Sequence, residues 1–267
     1  MKLNNVPAST GWQWVKQGIR TFWKQPLAMS GLFFMFMGLV SVLSAVPFVG
    51  SALSLALLPA ATLGLMAAAR QAAAGKFPMP TVLASAFSAG KQRMHAMLKL
   101  GALYAVGFLL VMGLSSVFDG GEFAGVYLRG DPLTEEMAKD PDFQRALWVG
   151  MGLYLPLAIV FWHAPALVHW HGVEPVKSLF FSAMACWANK AALLVYAACW
   201  LGVFMAGGMA LSLLMALLGS PAVGSVLVLP AVLLMASMFF TSTYFTFADS
   251  FVAEPPNDTA STPPTND

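Results

Sequence analysis

Six long apolar stretches, separated by shorter polar segments, set the pattern of this chain. They cover residues 27–46, 51–69, 98–117, 147–168, 191–218 and 222–248. Each is close to or above the ~20 residues that a helix needs to cross the hydrocarbon core of a bilayer. Backbone polar groups find no water in that core, so each stretch is predicted to be a helix with its hydrogen bonds satisfied internally. The predicted fold class is therefore all-α, a polytopic membrane protein with six transmembrane helices.

The first 26 residues differ from the stretches that follow. Apolar side chains recur at helical spacing on one side, at Trp12, Val15, Ile19, Phe22 and Trp23. Polar side chains fall on the other side, at Gln13, Lys16, Arg20 and Lys24. Such a helix is typical of the membrane interface, where tryptophans lie at headgroup level and cations face anionic lipid. We therefore predict a cytoplasmic interfacial amphipathic helix within residues 1–26.

The rest of the chain divides into two parts. Residues 27–251 form the predicted six-helix transmembrane domain, which includes an acidic external loop at 118–145. Residues 252–267 contain no Lys or Arg and are rich in Pro and Thr. This composition predicts a disordered cytoplasmic tail.

The distribution of Lys and Arg predicts the orientation. Of the 14 Lys and Arg residues, only Arg129, Lys139 and Arg145 fall on the side of the 118–145 loop, which leaves 11 on the side of the N-terminus. Positive residues are concentrated in cytoplasmic loops. We therefore expect a multi-pass protein of the bacterial inner membrane with both termini in the cytoplasm.

Composition excludes several classes of function. Hydrophobic residues make up 58% of the chain and charged residues 10%, against about 25% charged residues in soluble domains. The net charge of +2 indicates no nucleic-acid partner. The six apolar stretches contain no Asp or Glu of the kind that ion-coupled pumps use, and neither a GxxxxGK nor an HExxH motif occurs. We predict that the protein is not an enzyme, with no catalytic residue, no cofactor and no metal ligand.

Three prolines indicate an internal repeat. Pro59, Pro156 and Pro230 lie near the middle of the second, fourth and sixth apolar stretches. A polar-apolar segment precedes each odd-numbered stretch, and two of these segments are similar: AFSAGKQRMHAMLKLGALY and FFSAMACWANKAALLVYAACW. The pattern predicts three parallel units, each with an interfacial helix, an outward span and a returning span bent at proline.

Two polar clusters are candidates for ligand binding. His163, His169 and His171 lie near the inner end of the fourth stretch, but their spacings of six and two residues do not share one helix face. A structural role is favoured, and a metal or haem site is the alternative. Ser182 and Asn189 are expected to hydrogen-bond free carbonyls where the interfacial helix turns into the fifth span. A polar ligand site is the alternative for these two residues.

Two segments of the chain resemble a known family. They are GWQWVKQGIRTFWKQP and FWHAPALVHWHGVEPVKSLFFSAMACWANK. They are similar to six-span inner-membrane proteins of proteobacteria, whose plan is in turn similar to that of the YciC-like membrane proteins. A Pro, a Ser on an amphipathic helix and a following Asn recur in that group, at positions that match Pro165, Ser182 and Asn189. The resemblance covers roughly residues 11–251 and implies an inner-membrane location without implying an activity.

We therefore expect a non-catalytic inner-membrane protein that organises lipid or a membrane partner through its cytoplasmic interfacial helices. The expected partner is the bilayer itself, with anionic lipid at the cytoplasmic face. One alternative is a transporter or channel for a small or apolar solute, in which the three mid-membrane prolines open backbone carbonyls toward a central pathway. A second alternative is a haem- or metal-linked membrane subunit that uses the histidines.

Overall fold

The structure is a computed structural model that describes residues 2–47, 49–218 and 221–252. Within these residues the chain forms two short strands and twelve α-helices, together with a 3₁₀ turn at Pro80–Ala84. They are β1 (Lys2–Leu3), α1 (Thr10–Lys24), α2 (Pro26–Ser44), α3 (Gly50–Ala73), α4 (Ser85–Ser88), α5 (Lys91–Asp119), α6 (Glu122–Arg129), α7 (Glu135–Lys139), α8 (Pro141–Phe161), α9 (Ala164–His171), α10 (Pro175–Ala188), α11 (Lys190–Leu218), α12 (Pro221–Ser250) and β2 (Phe251–Val252).

Six helical stretches are long and apolar enough to cross a membrane. They are Pro26–Ser44, Gly50–Ala73, Lys91–Asp119, Pro141–His171, Lys190–Leu217 and Val226–Ser250. The prediction of six transmembrane helices is confirmed at this level. The largest shift of a helix start is in α5, which begins at Lys91 instead of residue 98 because its polar first turns are helical as well.

The fourth stretch is broken, whereas the sequence predicted one helix over residues 147–168. Helix α8 ends at Phe161 and α9 begins at Ala164. Pro165 lies in the first turn of α9, a position where a missing backbone N–H costs nothing. The break therefore separates two well-formed helix ends.

Helix α3 lies at the centre of the bundle, between α2, α5 and α12. Of the residues in its most apolar stretch, 67% are buried. Small residues at every fourth position, among them Ala56 and Ala60, let its neighbours approach closely, and Gly101 of α5 lies directly against the Ala56 carbonyl. The small residues of α3 therefore serve packing within the bundle.

The two ends of the described chain meet. Strands β1 and β2 pair in antiparallel fashion, with Lys2 opposite Val252. Helix α1, the end of α3, the starts of α5 and α11, and α10 lie at this same end of the bundle, which follows from the up-and-down order of the helices. The predicted disordered tail, apart from Val252, lies outside the described residues.

The predicted external loop forms two short helices at the opposite end. Asp140 caps α8, where its Oδ1 accepts a hydrogen bond from the Asp142 backbone N–H at 2.8 Å, and Pro141 occupies the first helical position. Thr134 caps α7, and Asp131 pairs with Arg129 at 2.7 Å.

The three predicted repeat units are not equally regular. Helices of 15 and 14 residues, α1 and α10, precede α2 and α11, but only a 3₁₀ turn and the four-residue α4 precede α5. All three prolines lie inside helices, yet Pro59 is buried whereas Pro156 and Pro230 are exposed. The threefold arrangement therefore stays a prediction.

Candidate functional site

Helix α1 packs one face firmly against the rest of the protein. Its buried residues include Trp14, Val15 and Phe22, each at most 1% exposed. Trp12 and Trp23, which the sequence placed at headgroup level with Val15 and Phe22, are not part of this buried face and are 53% and 62% exposed. The helix is amphipathic as predicted, but its buried face is turned toward Trp14, which the sequence analysis had left out.

Two glycines set the distance between α1 and its neighbours. Gly11 and Gly18 are seven residues apart, which is about two helical turns, so they share one face with Trp14. A Cβ on Gly11 would clash with the Ala192 carbonyl of α11, and a Cβ on Gly18 would clash with Ser242 of α12. Helix α1 therefore lies in direct contact with the backbones of both helices.

Hydrogen bonds fix the start of α1 to the end of α12. The indole N–H of Trp14 donates to Asp249 Oδ2 at 2.8 Å, and the Asn4 side chain donates to the Asp249 carbonyl at 2.9 Å. Trp14 is fully buried, and the hydrogen bond to Asp249 satisfies the only polar atom of its side chain. Asp249, in the last turn of α12, is therefore a structural acceptor for α1.

Asn189 joins three segments at the same point. Its amide Nδ2 donates to the Asn4 carbonyl at 3.0 Å and to Ser250 Oγ at 3.2 Å. Its Oδ1 accepts from the Val6 backbone N–H at 2.9 Å. Since every polar atom of this buried side chain is engaged within the protein, the structure supports the structural interpretation of Asn189 over a ligand site.

Ser182 bridges the break between α8 and α9. Its hydroxyl accepts from the His163 backbone N–H at 2.9 Å and donates to the Ile159 carbonyl at 3.1 Å. These are the groups that a helix break leaves without intrahelical partners. The expectation that Ser182 serves a helix break is therefore confirmed, although the break lies before α9 and not before α11.

A row of buried hydroxyl groups on α12 was not identified from the sequence. Ser242 donates to the Phe239 carbonyl at 2.6 Å, so it accepts from the Tyr196 hydroxyl at 2.6 Å and the Trp200 indole at 3.1 Å. The other buried members are Ser237, Thr241, Thr243, Thr246 and Ser250. The signal was present in the string SMFFTSTYFTFADS, because Ser and Thr recur in membrane helices where helices pack closely.

The outward face of α1 carries charge and aromatic rings together. At 3.6 residues per turn, five of its positions fall within an arc of about 120° opposite the glycine face. They are Trp12, Lys16, Arg20, Trp23 and Lys24, all exposed. We call this set the cationic face. Lys24 also donates to the Ala73 carbonyl at 3.3 Å, and α1 contains no acidic residue.

The histidines do not converge on a shared site. His163 is 1% exposed and packs against the rings of Phe247 and Phe251, and its Nδ1 has no hydrogen-bond partner among the described residues. At His169 the backbone carbonyl accepts a hydrogen bond from the Arg93 side chain at 2.7 Å. Within the described ranges, no group of three His, Cys, Asp or Glu side chains could hold a metal ion.

The cysteines are separate free thiols in the structure. Cys186 lies on α10 and is 5% exposed. Burial raises the pKa of its thiol to about 12, so the thiol stays protonated near neutral pH. Because the thiolate is the reactive form, Cys186 is inert in the folded protein and becomes reactive once the surrounding helices open.

One relative shows where the chain belongs. The chain is 38% identical over 259 residues to a probable inner membrane protein of Burkholderia thailandensis, and the alignment covers 96% of each chain. No family model matches the chain, and no solved structure matches it significantly. The relative and the six apolar helices agree on an integral membrane protein. The chain belongs to the same family as this inner membrane protein.

Proposed function

We propose that the protein is a non-catalytic component of the bacterial inner membrane that binds and organises anionic lipid at the cytoplasmic face through α1. The carrying observation is that α1 is fixed to α11 and α12 by one face while the opposite face exposes cations and tryptophans. Lipid headgroups at this depth present phosphates to cations and a polar-apolar boundary to indoles.

The proposed side of the membrane rests on charge. The end of the bundle that carries α1 holds 11 of the 14 Lys and Arg residues, and the opposite end holds the acidic loop at 118–145. By the positive-inside rule, the α1 end faces the cytoplasm. Pairing of β1 with β2 supports the proposal that both termini lie on that side.

Fixation of α1 favours lipid binding over simple anchoring. A free amphipathic helix loses conformational freedom when it adsorbs, whereas a helix already held by Trp14 and two glycine contacts does not. Each cation near an anionic surface contributes about 1 kcal/mol. Lys16, Arg20 and Lys24 would together favour anionic over zwitterionic lipid by tens-fold or more at low salt.

We also retain the three-unit arrangement and the similarity to the YciC-like plan as proposals. The repeat is supported by a proline inside each of α3, α8 and α12. The YciC-like plan is supported by Pro165, Ser182 and Asn189, which lie at the helix junctions where the family pattern implies them. Neither proposal is needed for lipid binding by α1.

The test compares two triple variants of the full-length protein in nanodiscs that mix phosphatidylglycerol and phosphatidylcholine. Lys16→Gln, Arg20→Gln and Lys24→Gln remove the charge of the cationic face. The matched control changes the three cations at the opposite end to Gln, namely Arg129, Lys139 and Arg145. Both triple variants change the net charge from +2 to −1.

We expect the first variant to lose most of its phosphatidylglycerol enrichment, measured by mass spectrometry of the co-purified lipid, and the control to retain it. Enrichment should also fall with salt in the unmodified protein, because exposed charges are screened. Equal enrichment in the two variants would exclude the cationic face as the lipid site. Retained enrichment together with loss of a co-purified protein would favour a membrane partner instead.

A further inference from the structure

A cavity lies inside the bundle at the end opposite α1. Helices α2, α3, α5 and α8 surround it, and α6 covers it on the side of the acidic loop. Its volume is about 350 Å³, within the usual range for small-molecule pockets. At roughly 30 Å³ per water molecule, this equals the volume of about a dozen waters.

One wall of the cavity is aromatic. Tyr104 and Phe108 of α5 stack with ring centroids 6.3 Å apart, and Tyr154 of α8 meets Phe108 edge-on at 5.9 Å. Phe123 and Tyr127 of α6 continue the wall, with centroids 5.4 Å apart. This wall offers flat apolar surface for a chain or a ring.

The opposite wall carries three serines whose protons are already engaged. Ser51 donates to the Leu128 carbonyl at 2.7 Å, and Ser54 donates to the Ser51 carbonyl at 2.9 Å. Ser44 donates to Ser54 Oγ at 3.1 Å. The serine oxygens keep lone pairs, so this wall can accept hydrogen bonds from a ligand but has few protons to give.

The tyrosines supply the missing donor. The hydroxyl oxygens of Tyr104 and Tyr154 are 3.5 Å apart. Only one of their two protons can lie between the two oxygens, which leaves the other proton available to a ligand. The cavity therefore pairs a hydroxyl donor with hydroxyl acceptors, and none of its described lining residues is charged.

We propose that this cavity binds the head and the first part of the chain of a neutral amphiphile with a hydroxyl or ester head, of the monoacylglycerol class. A hydroxyl group can both donate to a serine oxygen and accept from a tyrosine. A carboxylate or phosphate would be buried without a counter-charge, which is costly. Three lining residues of α6 and α8 are exposed, Tyr127, Met151 and Tyr154, at 65%, 54% and 39%, so the amphiphile enters on the side of α6 and α8.

This site is independent of the cationic face. It lies at the other end of the bundle, has uncharged walls and would select against the anionic headgroups that α1 is proposed to bind. Leu55 of α3 forms part of the cavity wall and lies one turn before Pro59. The ring of Pro59 leaves the Leu55 carbonyl without its usual helical partner. That carbonyl is a further acceptor beside the cavity.

The experiment uses photolabelling of the full-length protein in detergent. The probe is a monoacylglycerol with a diazirine in its chain, and the charged comparison is the fatty acid with the same diazirine chain. We expect the neutral probe to label peptides of α5 and α8, with competition by unlabelled monoolein. The fatty acid should label these peptides at least tenfold less.

Two pairs of variants locate the site. Val40→Trp fills the cavity, whereas Val42→Trp places the same side chain on the 70% exposed surface of the same helix. We expect Val40→Trp to reduce labelling more than tenfold and Val42→Trp to leave it unchanged. Tyr154→Phe should reduce labelling about fivefold, the equivalent of ~1 kcal/mol for one hydrogen bond, and Tyr244→Phe on α12 should not.

Equal labelling of the two tryptophan variants would overturn the proposal, as would equal labelling of α5 and α8 by the fatty acid. If Val40→Trp does not fold, as judged by gel filtration, the tyrosine pair decides the matter. In that case identical labelling of Tyr154→Phe and Tyr244→Phe would refute a hydroxyl-lined site. None of these outcomes depends on whether α1 binds anionic lipid.

Discussion

Gly18→Ala tests whether α1 is held by close backbone packing. The matched control is Gly38→Ala in α2, because no atom lies within 4 Å of a Cβ built at that position. Both substitutions add one methyl group inside a helix. Only the first adds it against another helix, where the new methyl would lie within 3.0 Å of the backbone N of Ser242.

The two substitutions should have opposite signs. Replacement of Gly by Ala in an open helix position stabilises by about 1 kcal/mol through helix propensity. At Gly18 the methyl cannot be accommodated by a side-chain rotation, since Ser242 is held by Tyr196 and Trp200. Overpacking of this kind costs typically ~1–3 kcal/mol. Less the gain of about 1 kcal/mol in helix propensity, we expect a net loss of up to about 2 kcal/mol for Gly18→Ala.

Detachment of α1 sets the upper limit of that loss. To relieve the clash by lifting away, α1 would expose Trp14 and Phe22, which are 0% and 1% exposed. Burial of a large apolar side chain is worth about 1.5–3 kcal/mol, so detachment would cost more than the strain. Helix α1 is therefore expected to shift locally and remain bound.

The assay follows thermal unfolding in detergent with a thiol-reactive fluorophore. The assay uses a Cys199→Ser background, because Cys199 is only partly buried. Cys186 is buried, and burial raises the pKa of its thiol to about 12, so the dye should react with it only after the bundle opens. The midpoint should fall for Gly18→Ala and stay equal or rise for Gly38→Ala. If Gly18→Ala is as stable as Gly38→Ala, the close contact between α1 and α12 does not exist as described.

Two further predictions concern orientation and the repeat. In a background without native cysteines, a cysteine at Ser9 should resist an impermeant thiol reagent in intact cells, whereas a cysteine at Glu122 should react. The reverse pattern of labelling would show that the proposed topology is inverted. Single Pro→Ala variants at Pro59, Pro156 and Pro230 should each restore one helical hydrogen bond and, if the units are equivalent, shift the unfolding midpoint modestly and in the same direction. Midpoint shifts of opposite sign at the three sites would contradict the threefold repeat.

The features that could be predicted from sequence are those set by local chemistry or by the membrane itself. Helix number follows from the bilayer thickness, which requires about 20 apolar residues per crossing. The start of α8 follows from Asp140 and Pro141, which are adjacent in sequence and supply both the cap and the first helical residue. Neither prediction needs knowledge of which helices pack together.

The sequence analysis missed features that depend on contacts between residues far apart in the chain. Helical periodicity shows that α1 has two faces, but it does not show that Trp14 finds Asp249, which lies 235 residues away. The periodicity grouped Val15 and Phe22 with Trp12 and Trp23 on one apolar side, and only the contacts with α11 and α12 separate the buried residues from the exposed tryptophans. The break before α9 has a local signal in Pro165, whereas its partner Ser182 comes from α10.

The cavity could not have been predicted at all, since its walls come from five separate helices. In the sequence its tyrosines are scattered among apolar residues at positions 104, 127 and 154. Each of them alone is typical of a membrane-interface residue. Only the packing of α5, α6 and α8 brings them to one wall.

The packing of α11 and α12 explains why α1 has a structural role in addition to its cationic face. Only 6% of the residues in the most apolar stretch of α11 are buried. The buried residues of the helix lie in its first three turns, at Ala192, Tyr196 and Trp200. Helix α1 packs against these turns of α11 and also against α12. Each of these two interfaces is more extensive than the direct packing of α11 on α12. The α11–α12 pair is thus joined at this end through α1. Because this protein packing fixes the rotation of α1, the direction in which Lys16 and Arg20 point is set before any lipid binds.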